Sequence, residues 1–161
     1  MCAAAVEACE PADVEGRLRS ATWAFRSWAL LHPPEFGLVY GTPVARCTAP
    51  EQGPTVAAMQ RFGGLFGSVL VDLLRAGRLR TVPKADLDPR VRADLVVAAS
   101  AMGLPMGPGE LYLFVVGWYR MLGVVSVEVA GHLRWAFGDD ATEFVRGQLD
   151  DLADDLLTPA G

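Results

Sequence analysis

Residues 111–132, LYLFVVGWYRMLGVVSVEVAGH, read as one long helix that is apolar almost all the way round. A helix lying on a protein surface shows one apolar stripe and one polar face. This segment carries only two charges, Arg120 and Glu128. Most of its circumference therefore has to be covered. A chain of 161 residues has few places to hide such a helix, so a second copy of the chain is the expected cover. A bilayer is not the expected cover. The longest uncharged run inside the segment is 111–119, whereas a span needs about 20 apolar residues. Arg120 and Glu128 near mid-span would each cost roughly 2.5–3.5 kcal/mol.

The length suits one domain, and a domain of this size buries roughly 70% of its extended surface. With 52% hydrophobic and 20% charged residues and a mean hydropathy of +0.27, global disorder is excluded. The apolar excess fits a thick core, a ligand cavity or a subunit interface. Charge is unevenly placed. Residues 138–161 hold seven acids and one base, Arg146, while residues 1–137 hold 12 acids and 13 bases. Arg75, Arg78 and Arg80 cluster only loosely, so the positive footprint that nucleic acid binding needs is missing. Cys2, Cys9 and Cys47 form no CxxC and no Cys/His cluster. That sparse, odd count points to a reducing, cytoplasmic setting. The N-terminal MCAAAVEACEPAD has no basic stretch and carries Glu7 and Glu10, so it does not read as a signal peptide.

Residues 1–12 are expected to be a loose tail and 13–161 the folded domain. Asp13 is a plausible N-cap for a helix over 13–32, with Leu18, Ala21, Thr22, Phe25, Trp28, Ala29 and His32 on one face. Pro33 and Pro34 end it, and a short helix follows over 34–40 up to Gly41. Residues 42–54 form a Pro-rich loop. A third helix is predicted over 55–76, with Gly77 as its C-cap and Gly63, Gly64 and Gly67 inside it. Those three mark a close backbone contact, a kink or space left for something else. A fourth helix starts at Asp86 or Asp88-Pro89 and runs to Met102. The long apolar helix comes next. The last begins at Asp140, with Asp140 and Glu143 spaced as a capping box, and its apolar row is Phe144, Val145, Gln148, Leu149, Leu152 and Leu156. No β-alternation appears, so the fold class is all-α, a bundle of about six helices.

Catalytic chemistry is hard to find. His32 ends a helix, where partial positive charge is favourable. His132 follows Glu128 by four residues, a spacing that suits an intrahelical bond better than a metal site. No Gly-rich phosphate loop, triad pattern or Cys/His metal spacing is visible. No enzyme activity, cofactor or metal is therefore expected. Trp23, Trp28, Phe36, Tyr40, Phe62, Phe66, Met102, Tyr112, Phe114, Trp118 and Met121 come from five predicted helices. They make either an ordinary aromatic core or the walls of an apolar pocket. Glu128, an acid among valines, needs partners. It fits a structural pair, a contact with a second copy, or a ligand contact. Arg120 lies two turns away on a similar face.

Two motifs carry a family resemblance. The first is Trp28-Ala29-Leu30-Leu31-His32-Pro33 with Phe36-Gly37-Leu38-Val39-Tyr40-Gly41. The second is Trp118-x4-Gly123-x2-Ser126-x-Glu128-x2-Gly131-His132. The terminal helix, with Phe144, Leu149 and Leu152, fits as well. Over 13–157 the chain resembles the C-terminal regulatory domain of TetR-family transcription repressors, of the WHG type. It departs from the pattern at Leu122, where a histidine is expected, and in lacking the helix-turn-helix domain that precedes this region in the family. The resemblance implies an effector-binding and dimerisation domain, with the last two long helices pairing with their mates in a four-helix interface. It also implies that such a chain senses and dimerises but meets DNA only through the missing domain.

On this reading the ligand is a small apolar or aromatic molecule walled by Trp28, Phe36, Phe62, Phe66, Tyr112 and Trp118. The homodimer interface is Gly123, Val127, Glu128, Ala130, Gly131, Leu149, Leu152 and Leu156. The alternative is a stand-alone helical binding protein, or a heterodimer partner of a full-length repressor, without DNA binding of its own.

Overall fold

The computed structural model describes residues 2–10, 12–41 and 54–158, with side chains for all of these except 2, 5 and 54–62. The predicted loop 42–54 lies outside the described residues up to Pro54. The described residues form eight α-helices and no strand, bearing out the all-α class: α1 (Cys2–Glu7), α2 (Val14–Leu31), α3 (Pro33–Tyr40), α4 (Pro54–Arg75), α5 (Pro89–Met102), α6 (Pro108–Val129), α7 (Arg134–Phe137) and α8 (Thr142–Leu156). A single 3-10 turn, Lys84–Asp86, precedes α5.

α2 is the axis of the bundle. Asp13 caps it as predicted, its Oδ1 accepting from the Gly16 N–H at 2.8 Å. Leu18, Ala21, Phe25 and Ala29 recur at helical spacing and are 0–1% exposed. Around this face pack α1, α3, α4, α6 and α8, while α6 lies against α5 and α8. Ion pairs fasten the periphery. Arg17 reaches Asp72 on α4 at 2.9 Å, Arg19 reaches Asp150 on α8 at 3.0 Å and also Asp154, and Arg120 on α6 meets Asp155. Burial works against the Arg19 charge, but its hydrogen bonds to Asp154 and Asp150 outweigh this and hold its pKa above the ordinary value. Past α8, Leu157 forms an isolated antiparallel bridge with Leu79, through Arg80 N–H to Leu156 O and Thr158 N–H to Arg78 O, both 2.9 Å.

Three details differ from expectation. Within 1–12, expected to be loose, the alanine-rich CAAAVE forms α1, and Val6 (4% exposed) joins the core. The long helix ends at Val129 rather than running to 132. Gly131, at φ +71°, closes it: its N–H donates to Glu128 O and that of His132 to Val127 O, both 2.9 Å. The chain then makes the unexpected α7, stopped by Gly138 at φ +65°. Finally, α8 starts at Thr142. Asp140 accepts from the Thr142 N–H at 2.9 Å from outside the helix, instead of heading a capping box. The inward row of α8 is Val145, Leu149, Leu152, Ala153 and Leu156, with Phe144 and Gln148 exposed.

The start of α6 depends on a missing side chain. A Cβ on Gly109 would stand 2.1 Å from Val82 O and 2.5 Å from Thr81 Oγ1. Gly123, farther along the same helix, has no atom within 4 Å of such a Cβ. Gly109→Ala should therefore cost about 1–3 kcal/mol through forced backbone displacement. Gly64→Ala, at an exposed position inside α4 where an added Cβ meets nothing within 4 Å, should stabilise by up to about 1 kcal/mol through helix propensity. Urea unfolding of the two variants, read by helical circular dichroism, checks the opposite signs.

Candidate functional site

Phe25 is the hub of the aromatic residues. Fully buried on α2, it lies 6.2 Å from Trp28, 6.0 Å from Phe36, 5.7 Å from Tyr40 in edge-on contact, and 6.1 Å from Trp118 on α6. Phe66 from α4 meets Trp118 edge-on at 5.6 Å. Four of the predicted pocket residues, Trp28, Phe36, Phe66 and Trp118, are thus brought together from four helices. Phe62 lies on α4, with its side chain outside the described residues. Tyr112 stands apart at 37% exposure, with no ring contact to the cluster. Sequence reasoning placed Phe25 on the buried face but left it out of the site, although it sits mid-row between Leu18 and Ala29.

The gap between Leu18, Thr22, Phe66, Leu70, Trp118 and Met121 is about 20 Å³. That is room for one water, against roughly 300 Å³ or more for an organic ligand. The α4 glycines play different parts. A Cβ on Gly67 would meet Leu104 at 3.3 Å, whereas Gly63 and Gly64 have no such neighbour within 4 Å.

Next to Phe25 on α2, Arg26 is 6% exposed. Its Nε–H donates to Glu128 Oε2 at 2.8 Å, and its Nη2 donates to Glu128 Oε1 at 2.5 Å and to Thr142 Oγ1 at 3.1 Å. The Glu128 side chain is 9% exposed. This bidentate pair joins α2, α6 and α8. Trp23 lies between two guanidinium groups, those of Arg26 at 4.6 Å and Arg146 at 4.3 Å from its ring centre. The pair and Thr142 border an open cleft of about 320 Å³, walled by Leu30, Pro33 and Leu133. On its rim, hydrogen bonds from Thr142, foremost its backbone N–H, together with the Arg26 charge, hold the exposed Asp140 carboxyl below its ordinary pKa.

Glu128 therefore has the partner its setting demands, but within the chain. It was expected at a dimer interface with Arg120 near it; the partner is Arg26, and Arg120 goes to Asp155. Arg26 was missed in the sequence, and its only signal was a charge four residues after Thr22 on an apolar face. His132 lies beyond the end of α6 and is exposed, and the described residues hold no group of three or more potential metal ligands.

The outer face of α6 is the third feature. Tyr112, Val115, Tyr119 and Val127 are 36–66% exposed, and Gly123 and Ala130 continue the same row at three- and four-residue spacing. Only 17% of the helix's most apolar stretch is buried, and by length and composition alone α6 could cross a membrane. Beside it, Phe144 on α8 stacks on Phe137 at 4.5 Å, and Gly147 is open. Of the predicted interface residues, Gly123, Val127 and Ala130 face outward. Leu149, Leu152 and Leu156 do not: at 3–5% exposure they fill the core between α8 and its neighbours. Gly131 serves the helix-ending turn.

Glu128→Ala leaves Arg26 buried without its counter-charge, at a cost of about 3–5 kcal/mol. Asp154, whose side chain is 64% exposed, pairs with Arg19 at the surface, and Asp154→Ala should cost no more than about 1 kcal/mol. Urea midpoints of the two variants should differ accordingly, and equal midpoints would contradict the buried pair.

Comparison with known proteins agrees with this architecture. No curated protein matches the chain. The family model described as tetracyclin repressor-like, C-terminal domain, matches residues 18–152. That span takes in the α2 hub, the aromatic cluster, the Arg26–Glu128 pair and most of α8. With most of its length matched, the chain belongs to the tetracyclin repressor-like C-terminal domain family.

Proposed function

We propose that this chain is the effector-binding and dimerisation domain of a TetR-like transcriptional regulator, sensing a small apolar or aromatic molecule. The observation that carries the reading is the uncovered apolar row on α6. Tyr112, Val115, Tyr119, Gly123 and Val127 leave a helix-long oily face in water. A second copy, related by a twofold axis, covers such a face with the same face. The open Gly123 and Gly147 allow close helix approach, and α8 carries an exposed aromatic of its own in Phe144. An obligate interface of this kind buries on the order of 2,000 Å². Family membership supports the same reading, since domains of this family typically dimerise and bind small effectors.

The effector is held within each protomer among Trp28, Phe36, Phe66 and Trp118, where rings from four helices meet. There the effector takes the place of ring–ring contacts. Trp28 and Trp118 bring indole N–H groups to an otherwise apolar wall.

Sedimentation tests the assembly. The wild-type chain should be a dimer at micromolar concentration. Gly123→Arg and Tyr119→Arg, both on the outer face, should give folded monomers with unchanged helical circular dichroism. A monomeric wild type would refute the proposed interface. For the effector, a thermal-shift screen of aromatic and lipophilic compounds should give hits. Saturation at 100 times the dissociation constant adds roughly 2.7 kcal/mol. Phe66→Trp should abolish those hits by filling the space beside Trp118.

A further inference from the structure

Residues 25 and 26 of α2 brace α6 at two separate points. Phe25 contacts Trp118, and Arg26 holds Glu128. These contacts are ten residues apart along α6, roughly 15 Å at 1.5 Å per residue. The brace at Trp118 is an apolar ring contact at 6.1 Å between centroids, non-directional in its physics. The brace at Glu128 is a bidentate, charge-assisted pair with fixed planar geometry, 6% exposed at the arginine, and it also takes in Thr142 at the start of α8. Between the two points α6 presents Tyr119, Gly123 and Val127 outward. The proposed dimer face thus lies between two contacts made by the same turn of α2 that anchors the aromatic cluster.

We infer that Arg26 and Glu128 are positioning residues that couple the aromatic cluster to the α6 face, so that a change in ring packing around Phe25 alters self-association. When the rings part, α2 has to shift. The rigid pair then carries α6 and the start of α8 with it, whereas the ring contact at Trp118 yields. The inference rests on the reading of the α6 face as a self-association surface.

Phe36→Leu supplies a defined perturbation of the cluster. Phe36 is 4% exposed on α3, packs on Phe25, and lies on neither α6 nor α8. Dimer dissociation constants from sedimentation are compared for the wild type and Phe36→Leu, first in the native background. They are then compared in an Arg26→Met, Glu128→Leu background, which removes both charges together and leaves neither orphaned. In the native background Phe36→Leu should change the constant by at least about fivefold, the lower end of typical coupling between sites. In the replaced background the change should fall below about twofold. A purely structural pair would alter the dissociation constant or the melting temperature of the background itself and leave the Phe36→Leu ratio intact. An unchanged ratio therefore overturns the inference and assigns the coupling to Trp118. Failure of Phe36→Leu to move the native constant overturns it as well. Should the double replacement not fold, Glu128→Gln keeps the shape, weakens the pair and must lower the ratio. A monomeric wild type would instead count against the self-association reading.

Discussion

The crossing of α2 over α6 is the contact on which the rest of this fold depends. Neighbouring residues on α2 work by opposite physics there. Phe25 is fully buried among rings, and its hold is dispersion and water exclusion. Arg26 is nearly as buried, but it keeps its charge only because Glu128 meets it bidentately and Thr142 accepts a further N–H. Apolar packing is non-directional, whereas the bidentate ion pair has a fixed planar geometry. One helix crossing therefore has a non-directional contact and a directional one, and α3, α4 and α8 are arranged around it.

Much of this was legible in the sequence, for local reasons. Asp13 before an apolar-periodic stretch gave the start of α2. Pro33 gave its end, and Asp88-Pro89 the start of α5, where Asp88 Oδ1 accepts from the N–H groups of Arg90 and Val91. The demand that Glu128 find a partner followed from its apolar neighbours alone. Which residue answers was not readable, because Arg26 lies 102 positions away and only tertiary structure joins them. The aromatic cluster was foreseen in membership more than in geometry. Trp28, Phe36, Phe66 and Trp118 do meet, while Tyr112, on the same helix as Trp118, points its surface to water.

The misread residues share a cause. Leu149, Leu152 and Leu156 make an apolar row, and a row is equally consistent with facing one's own core or a partner. Gly131 looks like a small contact residue until its φ of +71° shows that it ends a helix. α1 and α7, at six and four residues, are too short for periodicity to announce them. α6 shows the reverse case. Its all-round apolarity implied two covers, and the described residues supply one, from α2, α4, α5 and α8.

α8 follows α6 in the chain. Val145, Leu149, Leu152, Ala153 and Leu156 complete a core that α2, α4 and α6 have already begun, and the Leu79–Leu157 bridge pins the result. On the ribosome α6 is made before α8. For the time needed to translate the intervening segment, a 22-residue apolar helix has only the part of its inner cover that α2, α4 and α5 supply, and lacks that of α8. The nascent chain is at its stickiest in that interval. The acids of α8 then bring both the missing core residues and the counter-charges for Arg19 and Arg120. The step that completes the inner cover of α6 is thus also the step that restores a well-solvated surface.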